Sequence, residues 1–261
     1  MFPTFWKIPA SGMKSNKPNI RIVAASVTGA MHRHKDLPCQ DCFGHAHGKN
    51  LVAIVSDGAG SAKYGKIGAK TVCTTLCDLL KNSSFKDIEN NISRAIAVTR
   101  QKLMRHRLNK GKNEAGLADF AATIVGMVYH QNRGIFFHIG DGAAIALQDD
   151  EGHKFIASRP ENGNFSCETF FFTQMAWAEN LRFTNFESAS SIFLMSDGLT
   201  NFSFTRDYQD IEKNFILPIN SFLKDEKVKN KATRALTNTL NMPKAQKLNP
   251  DDKTLVWAMI Q

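Results

Sequence analysis

The stretch LVAIVSDGAG, Leu51 to Gly60, is apolar and largely β-branched at first, then stops on Asp57-Gly58. A strand made for burial rarely ends on a carboxylate, because burying an unpaired charge is costly. Two further runs end the same way: GIFFHIGDGAA (Gly134 to Ala144) and SIFLMSDGLTN (Ser191 to Asn201). The ordinary reading of Asp-Gly between strands is a type I′ hairpin turn, which requires a strand on both sides. After Asp57 the chain passes through GAGSAKYG into helical spacing, and after Asp197 it passes through GLTNFSFT with no returning strand. At Asp141, AAIALQ follows directly, and a plain hairpin stays open there.

Two more acidic positions flank strand-like runs from the other side. Asp251 and Asp252 stand just before KTLVWAMI, and Asp41 stands just ahead of CFGHAH. Carboxylates gathered at strand ends on one rim repel each other unless a cation lies between them, and a hard divalent ion answers that need. All-oxygen donors suit Mg2+ or Mn2+ rather than zinc. The glycine after each acid is expected to let the backbone turn sharply and bring a carbonyl close to the ion.

Outward from these runs, NIRIVAASVTG reads as a strand and DCFGHAHGKNLVAIVSDG as a hairpin turning at HGKN. KYGKIGAKTVCTTLCDLLKN has helical spacing, with Ile67, Val72, Leu76, Leu79 and Leu80 on or near one face. A second helix is expected around FKDIENNISRAIAVTRQKLMRHRL, with Ser83 and Ser84 as caps. After the polar loop KGKNEAG, the segment from Phe120 to Ala157 reads as an antiparallel meander. CETFFFT, LRFTNFE and SSIFLMSDG read as strands, Asp225 to Leu240 as helix, and KTLVWAMI as the last strand. The pattern is α+β, mostly antiparallel pairs with helices long enough to cover sheets.

With 261 residues and 43% hydrophobic content, the chain supports one large domain, read as 19–261 behind an N-terminal lead, 1–18. No apolar run approaches the roughly 20 residues of a membrane span, and the start lacks a signal-peptide pattern, so a cytoplasmic setting is expected. The five cysteines make no disulfide framework, and CQDC lacks a second half for a zinc site. Cys73 and Cys77 fit one helix face. The net charge of +9 is scattered without an aromatic-basic module, which argues for a solvated surface and against nucleic acid.

The motifs QDCF (Gln40 to Phe43), VSDGAGSAKYG (Val55 to Gly65), HIGDGAA (His138 to Ala144), LMSDGL (Leu194 to Leu199) and DDKTLVWAM (Asp251 to Met259) stand together in order. In that order the chain resembles the PPM/PP2C metal-dependent protein serine/threonine phosphatases, most of all their compact bacterial branch. The resemblance runs over nearly the whole chain from about Asn19. It implies a four-layer α-β-β-α sandwich, two antiparallel sheets flanked by helices, with the site at one end. It further implies that Asp57 bridges two Mn2+ or Mg2+ ions with Gly58 lending its carbonyl, that Asp197 and Asp251 complete the pair, and that Asp41 acts partly through water. Asp141 matches an acid that helps hold a third, weaker ion. The implied reaction is hydrolysis of phosphoserine or phosphothreonine by a metal-activated water, with a phosphorylated protein as substrate, a cognate kinase as counterpart and a monomeric enzyme.

The chain departs from that pattern twice. Where many members carry an arginine to clamp phosphate, this chain has TGAMHRHKDLPCQD; His32, Arg33 and His34 are candidates, and the spacing from Gly29 puts His32 first. Where some members have a histidine after Asp-Gly suited to be the general acid, this chain has Ala59. Cys39 and Cys42 are read as packing residues. Two rival readings stay open: a catalytically silent binding module of the same fold, and a phosphoesterase of small molecules.

Overall fold

The computed structural model describes residues 20–109, 116–161 and 169–260. The expected lead, 1–18, lies outside them, as do Cys167 and all of the KGKNEAG loop except Gly116. The strands are β1 (Ile20–Val27), β2 (Cys42–His47), β3 (Leu51–Ser56), β4 (Ile124–His130), β5 (Arg133–Ile139), β6 (Ala143–Leu147), β7 (Phe155–Ser158), β8 (Arg182–Glu187), β9 (Ser191–Met195) and β10 (Lys253–Ile260). They form two five-stranded sheets, β1-β10-β9-β6-β7 and β2-β3-β4-β5-β8, antiparallel throughout. The helices are α1 (Ala30–His34), α2 (Gly65–Leu80), α3 (Ile88–Asn109), α4 (Thr200–Ser203), α5 (Lys213–Asp225), α6 (Lys229–Leu240) and α7 (Pro243–Leu248). No helix among the described residues is long and apolar enough to cross a membrane.

Burial on both faces explains why LVAIV is apolar without interruption. Leu51, Ala53 and Val55 point between the sheets, where they join Leu194, Val256 and Ala258. Their alternates Val52 and Ile54 point outward onto Val72 and Leu76 of α2 and Ile92 and Ile96 of α3. On the outer face of the other sheet, Leu255 and Trp257 meet Ile216, Ile219 and Leu223 of α5 and Leu236 of α6. Three apolar layers therefore separate four layers of secondary structure, the α-β-β-α sandwich.

Several local expectations need correction. The meander is broken, because β5 and β6 belong to different sheets. The described part of CETFFFT is not a strand; Phe172 and Thr173 lie in a turn. The helix expected over Asp225 to Leu240 begins only at Lys229, as α6, and a helix the sequence reading did not expect, α5, precedes it and ends at Asp225. Pro218 sits inside α5, where it argues against helix locally, but Ile216, Ile219 and Leu223 bury a face that outweighs it. Helix α3 starts at Ile88, too late for Ser83 or Ser84 to cap it. Leu79 is exposed; the buried face of α2 runs through Ala69, Val72, Cys73, Leu76, Cys77 and Leu80.

Candidate metal centre

The strand register gathers the acids on one rim. Cys42 pairs with Ser56, so Asp41 and Asp57 lie one step beyond, side by side at the end of the β2-β3 pair. Ala143 pairs with Met195, and beyond that pair stand Asp141 and Asp197. Val27 pairs with Lys253 in the same sheet, which brings Gly29 and Asp251 to the same end. At Asp141 the chain leaves β5 in one sheet and enters β6 in the other, so the plain hairpin is excluded there. The Gly140 backbone makes that crossing at φ +114, a region glycine enters without penalty.

The glycines after the acids do something other than turn the chain. Gly58 and Gly198 have no positive φ; what they provide is room. A Cβ on Gly58 would lie 2.4 Å from the Gly65 carbonyl carbon, and one on Gly198 would lie 1.9 Å from the Asp252 oxygen. The start of α2 thus presses directly on the Asp57 loop.

Polar contacts tie the two sheets together at this end. Ser196 Oγ donates to Asp41 Oδ2 at 2.7 Å, and Thr254 N donates to Ser196 Oγ at 3.0 Å. The Asp57 amide donates to Thr123 Oγ1 at 3.0 Å, and Ser56 Oγ donates to the Thr123 carbonyl at 2.6 Å. Thr169 Oγ1 donates to Asp141 Oδ2 at 2.6 Å. The Gln40 amide, its nitrogen turned toward the loop, donates to Gly58 O at 2.7 Å and Ala59 O at 3.1 Å. A carbonyl oxygen has a second lone pair, so that contact leaves Gly58 able to accept again.

No side-chain cation forms an ion pair with these acids among the described residues. The ion pairs there are His32–Asp252, Lys81–Asp78, Arg182–Glu161 and Lys224–Asp150, none of which includes Asp41, Asp57, Asp141, Asp197 or Asp251. Buried Lys253 turns its ammonium onto the Asn249 and Asp251 carbonyls at 2.6 and 2.8 Å. Asp41 Oδ1 is buried with no hydrogen-bond partner. Burial, then Asp41, Asp197 and Asp251, hold the Asp57 carboxyl well above the ordinary range. Burial, then Asp141, Asp251 and Asp41, do the same to Asp197. Burial lifts Asp41 to about 6 against hydrogen bonds led by that from Ser196, and burial also raises Asp141. An oxygen-only cluster with an orphaned buried oxygen and mutually repelling carboxyls fits a hard divalent cation.

Asp252 is employed differently from its neighbour. It accepts from Gly29 N at 2.7 Å, from Gln40 N at 2.6 Å and from His32 Nδ1 at 2.9 Å. Because a carboxylate only accepts, the proton of that last bond sits on Nδ1, which leaves His32 Nε2 directed at the loop after Asp57. A Cβ on Gly60 would lie 3.9 Å from Nε2. Arg33 instead binds the Thr28 carbonyl at 2.6 Å and Asn241 at 3.0 Å, and His34 is exposed. Burial and then Asp41 push the Cys39 thiol up to about 12, which suits a packing role.

Sequence reasoning gave no role to Asp252, Ser196, Thr123 or Thr169. A signal was present for one of them: the tripeptide Ser-Asp-Gly occurs twice, at Ser56 and at Ser196, and each serine hydroxyl braces the rim.

Comparison with known proteins bears on the chain as a whole. A sequence model described as Protein phosphatase 2C matches residues 28–244. Serine/threonine-protein phosphatase 3 of Escherichia coli K12 is 26% identical over 251 residues, covering 92% of this chain and 98% of that protein. Among solved structures, the serine/threonine phosphatase Stp1 from Staphylococcus aureus superposes with TM-score 0.64 at 15% identity, over 94% of this chain and 96% of that one. The catalytic domain of serine threonine protein phosphatase PstP, solved in complex with two manganese ions, superposes with TM-score 0.61 at 17% identity, over 92% and 98%.

Proposed function

This chain belongs to the protein phosphatase 2C family, and from that premise we propose that it hydrolyses phosphoserine and phosphothreonine in proteins with a water nucleophile activated between divalent cations. The observation that carries the reading is the set of acids on one rim with no side-chain cation ion-paired to them among the described residues. Its relative from Escherichia coli is named a serine/threonine-protein phosphatase, and PstP was crystallised with two manganese ions.

In this reading Asp57, the Gly58 carbonyl, Asp197 and Asp251 would hold two ions, and Asp41 would act partly through water. Asp141, braced by Thr169, would serve a third and weaker ion. Mn2+ or Mg2+ held there supplies a polarised water and offsets charge on the phosphoryl oxygens. Lys253 fixes the Asp251 turn through its carbonyl, and Ser196 holds Asp41 from the opposite sheet. His32, oriented by Asp252, would in its imidazolium form present Nε2–H to the phosphoester either as proton donor to the leaving oxygen or as its grip. The short side chain of Ala59 leaves that role open to His32.

The test is turnover of phosphoserine and phosphothreonine peptides with Mn2+, then with excess chelator, in competition with small phosphoesters. Metal-dependent turnover that prefers peptides is expected. Activity indifferent to chelation would refute the mechanism; bound Mn2+ without turnover would point to a silent module, and preference for small phosphoesters to the other rival.

A further inference from the structure

We propose that Cys42 and Cys73 form a peroxide-sensitive dithiol whose oxidation to a disulfide disturbs the Asp41 end of the metal centre. Cys42 opens β2 directly after Asp41, and Cys73 lies within α2 on the face turned toward that strand. The two side chains pack in the same apolar layer between β2 and α2, and Cys73 Sγ lies 3.5 Å from the Cys42 carbonyl oxygen. Gly44 makes this approach possible. It shares a strand face with Cys42, and a Cβ there would come within 3.1 Å of the Cys73 carbonyl oxygen and 3.2 Å of Cys77 Sγ. A larger residue would hold helix and strand apart and separate the sulfurs.

The surroundings differentiate the two sulfurs. Cys42 is half-buried and Cys73 fully buried, so a small oxidant meets Cys42 first. Lys70 and Lys66 lie one and two turns before Cys73 along α2, and Lys66 Nζ donates to the Cys39 carbonyl at 2.6 Å, which holds positive charge over the 39–42 loop. Positive side chains beside a partly exposed thiol are the surroundings of oxidation-prone cysteines.

The chemistry balances with one molecule of hydrogen peroxide as oxidant. The Cys42 sulfur attacks a peroxide oxygen, the O–O bond breaks, and one water leaves behind a sulfenic acid. Cys73 Sγ then attacks the Cys42 sulfur, the S–O bond breaks, and the hydroxyl leaves as a second water with the Cys73 proton. Two thiols are oxidised, one peroxide is reduced, and a thiol reductant reverses the step. A disulfide holds its sulfurs about 2.05 Å apart, much closer than two unbonded thiols pack. The start of β2 must therefore shift toward α2. Asp41, the residue before it, depends on a 2.7 Å bond from Ser196 in the opposite sheet.

The test reads the bond and the metal separately from turnover. Wild type, Cys42→Ser and Cys73→Ala are treated with hydrogen peroxide, free thiols are alkylated, and unreduced peptides are mapped by mass. Wild type should yield a Cys42–Cys73 linked peptide that a dithiol reductant removes. Its Mn2+ affinity, measured by calorimetry, should drop about tenfold on oxidation, the scale of losing a supporting contact to a ligand, and return on reduction. Cys73→Ala should leave Cys42 trapped as a sulfenic acid, and Cys42→Ser should show neither product. Should Cys73→Ala fail to fold, the wild-type map decides alone. Full alkylation of Cys42 and Cys73 after peroxide, a link between other cysteines, or unchanged Mn2+ affinity in the oxidised protein would overturn the proposal.

Discussion

The two ends of this sandwich reverse the chain by different means. At the far end, β4 and β5 are joined through Gln131 and Asn132, both at positive φ (46° and 67°), the signature of a tight two-residue hairpin. Polar groups there satisfy one another: Tyr129 OH donates to Asn132 Oδ1 at 3.2 Å, and Asn132 Nδ2 donates to Ser188 Oγ at 3.2 Å. At the near end, Asp-Gly, the strongest short hairpin signal in a sequence, makes no hairpin within a sheet. It leads into helix α2, across to the other sheet, and into a 3-10 turn at Asp197–Leu199. Turn chemistry explains the far rim, whereas the near rim spends its acids on something turns do not require.

The sharpest way to break this comparison is to remove one acid at a time. Asp57→Asn, Asp197→Asn and Asp251→Asn should each cut kcat on the order of 10³-fold, equivalent to about 4 kcal/mol of transition-state stabilisation. In chelator the first two should melt no lower than wild type, since each removes a repelling charge. Wild-type rates in all three variants would mean that the near rim is no different in kind from the far one.

Asp141→Asn should have a smaller effect. It is expected to lower turnover about tenfold while calorimetry still finds the two tighter ions; loss of all metal binding would move Asp141 into the main pair. His32→Ala divides two roles. A leaving serine alkoxide needs a proton, worth typically about 10²-fold or more, whereas an aryl phosphate does not. If His32 is the donor, its loss slows phosphoserine peptides far more than p-nitrophenyl phosphate in single-turnover rates; if it grips phosphate, both slow in proportion. The smallest expected effect belongs to the far rim. Gln131→Gly should relieve the left-handed backbone there and add about 0.5 kcal/mol of stability, read by denaturant melting, without altering turnover.

Much of this was legible in the sequence, for reasons that also explain what was not. The β3 run announces burial on both faces, and its abrupt stop at Asp57 marks the rim before any coordinates are known. Periodicity could not tell that β5 and β6 part into different sheets, because AAIALQ alternates no differently from a returning hairpin strand. Helix α5 hid behind Pro218, whose local veto is overridden only by a face buried against β10. The division of labour between Asp251 and Asp252 was invisible, since adjacent identical residues differ only in what each reaches. Asp252 is consumed by Gly29, Gln40 and His32.

The central claim, that the near rim carries negative charge awaiting a cation, is tested most directly by melting the wild-type protein across pH 4 to 8 with chelator and then with Mn2+. In the unfolded chain these carboxyls titrate near 3.8. In the folded chain Asp41 titrates at about 6, with Asp57 and Asp197 raised well above the ordinary value. Between those limits the folded state holds more protons than the unfolded one, so its stability falls as pH rises. These groups should therefore favour the fold most below about pH 4 and progressively less through pH 6 and above. Mn2+ binds the ionised form, so its stabilisation should grow over the same interval. The account predicts a melting temperature in chelator that declines from pH 5 to 8 and a Mn2+-induced rise that is largest at pH 8. In Asp57→Asn both trends should be blunted. A melting temperature in chelator that stays level or climbs over that range, together with no response to Mn2+, would contradict it.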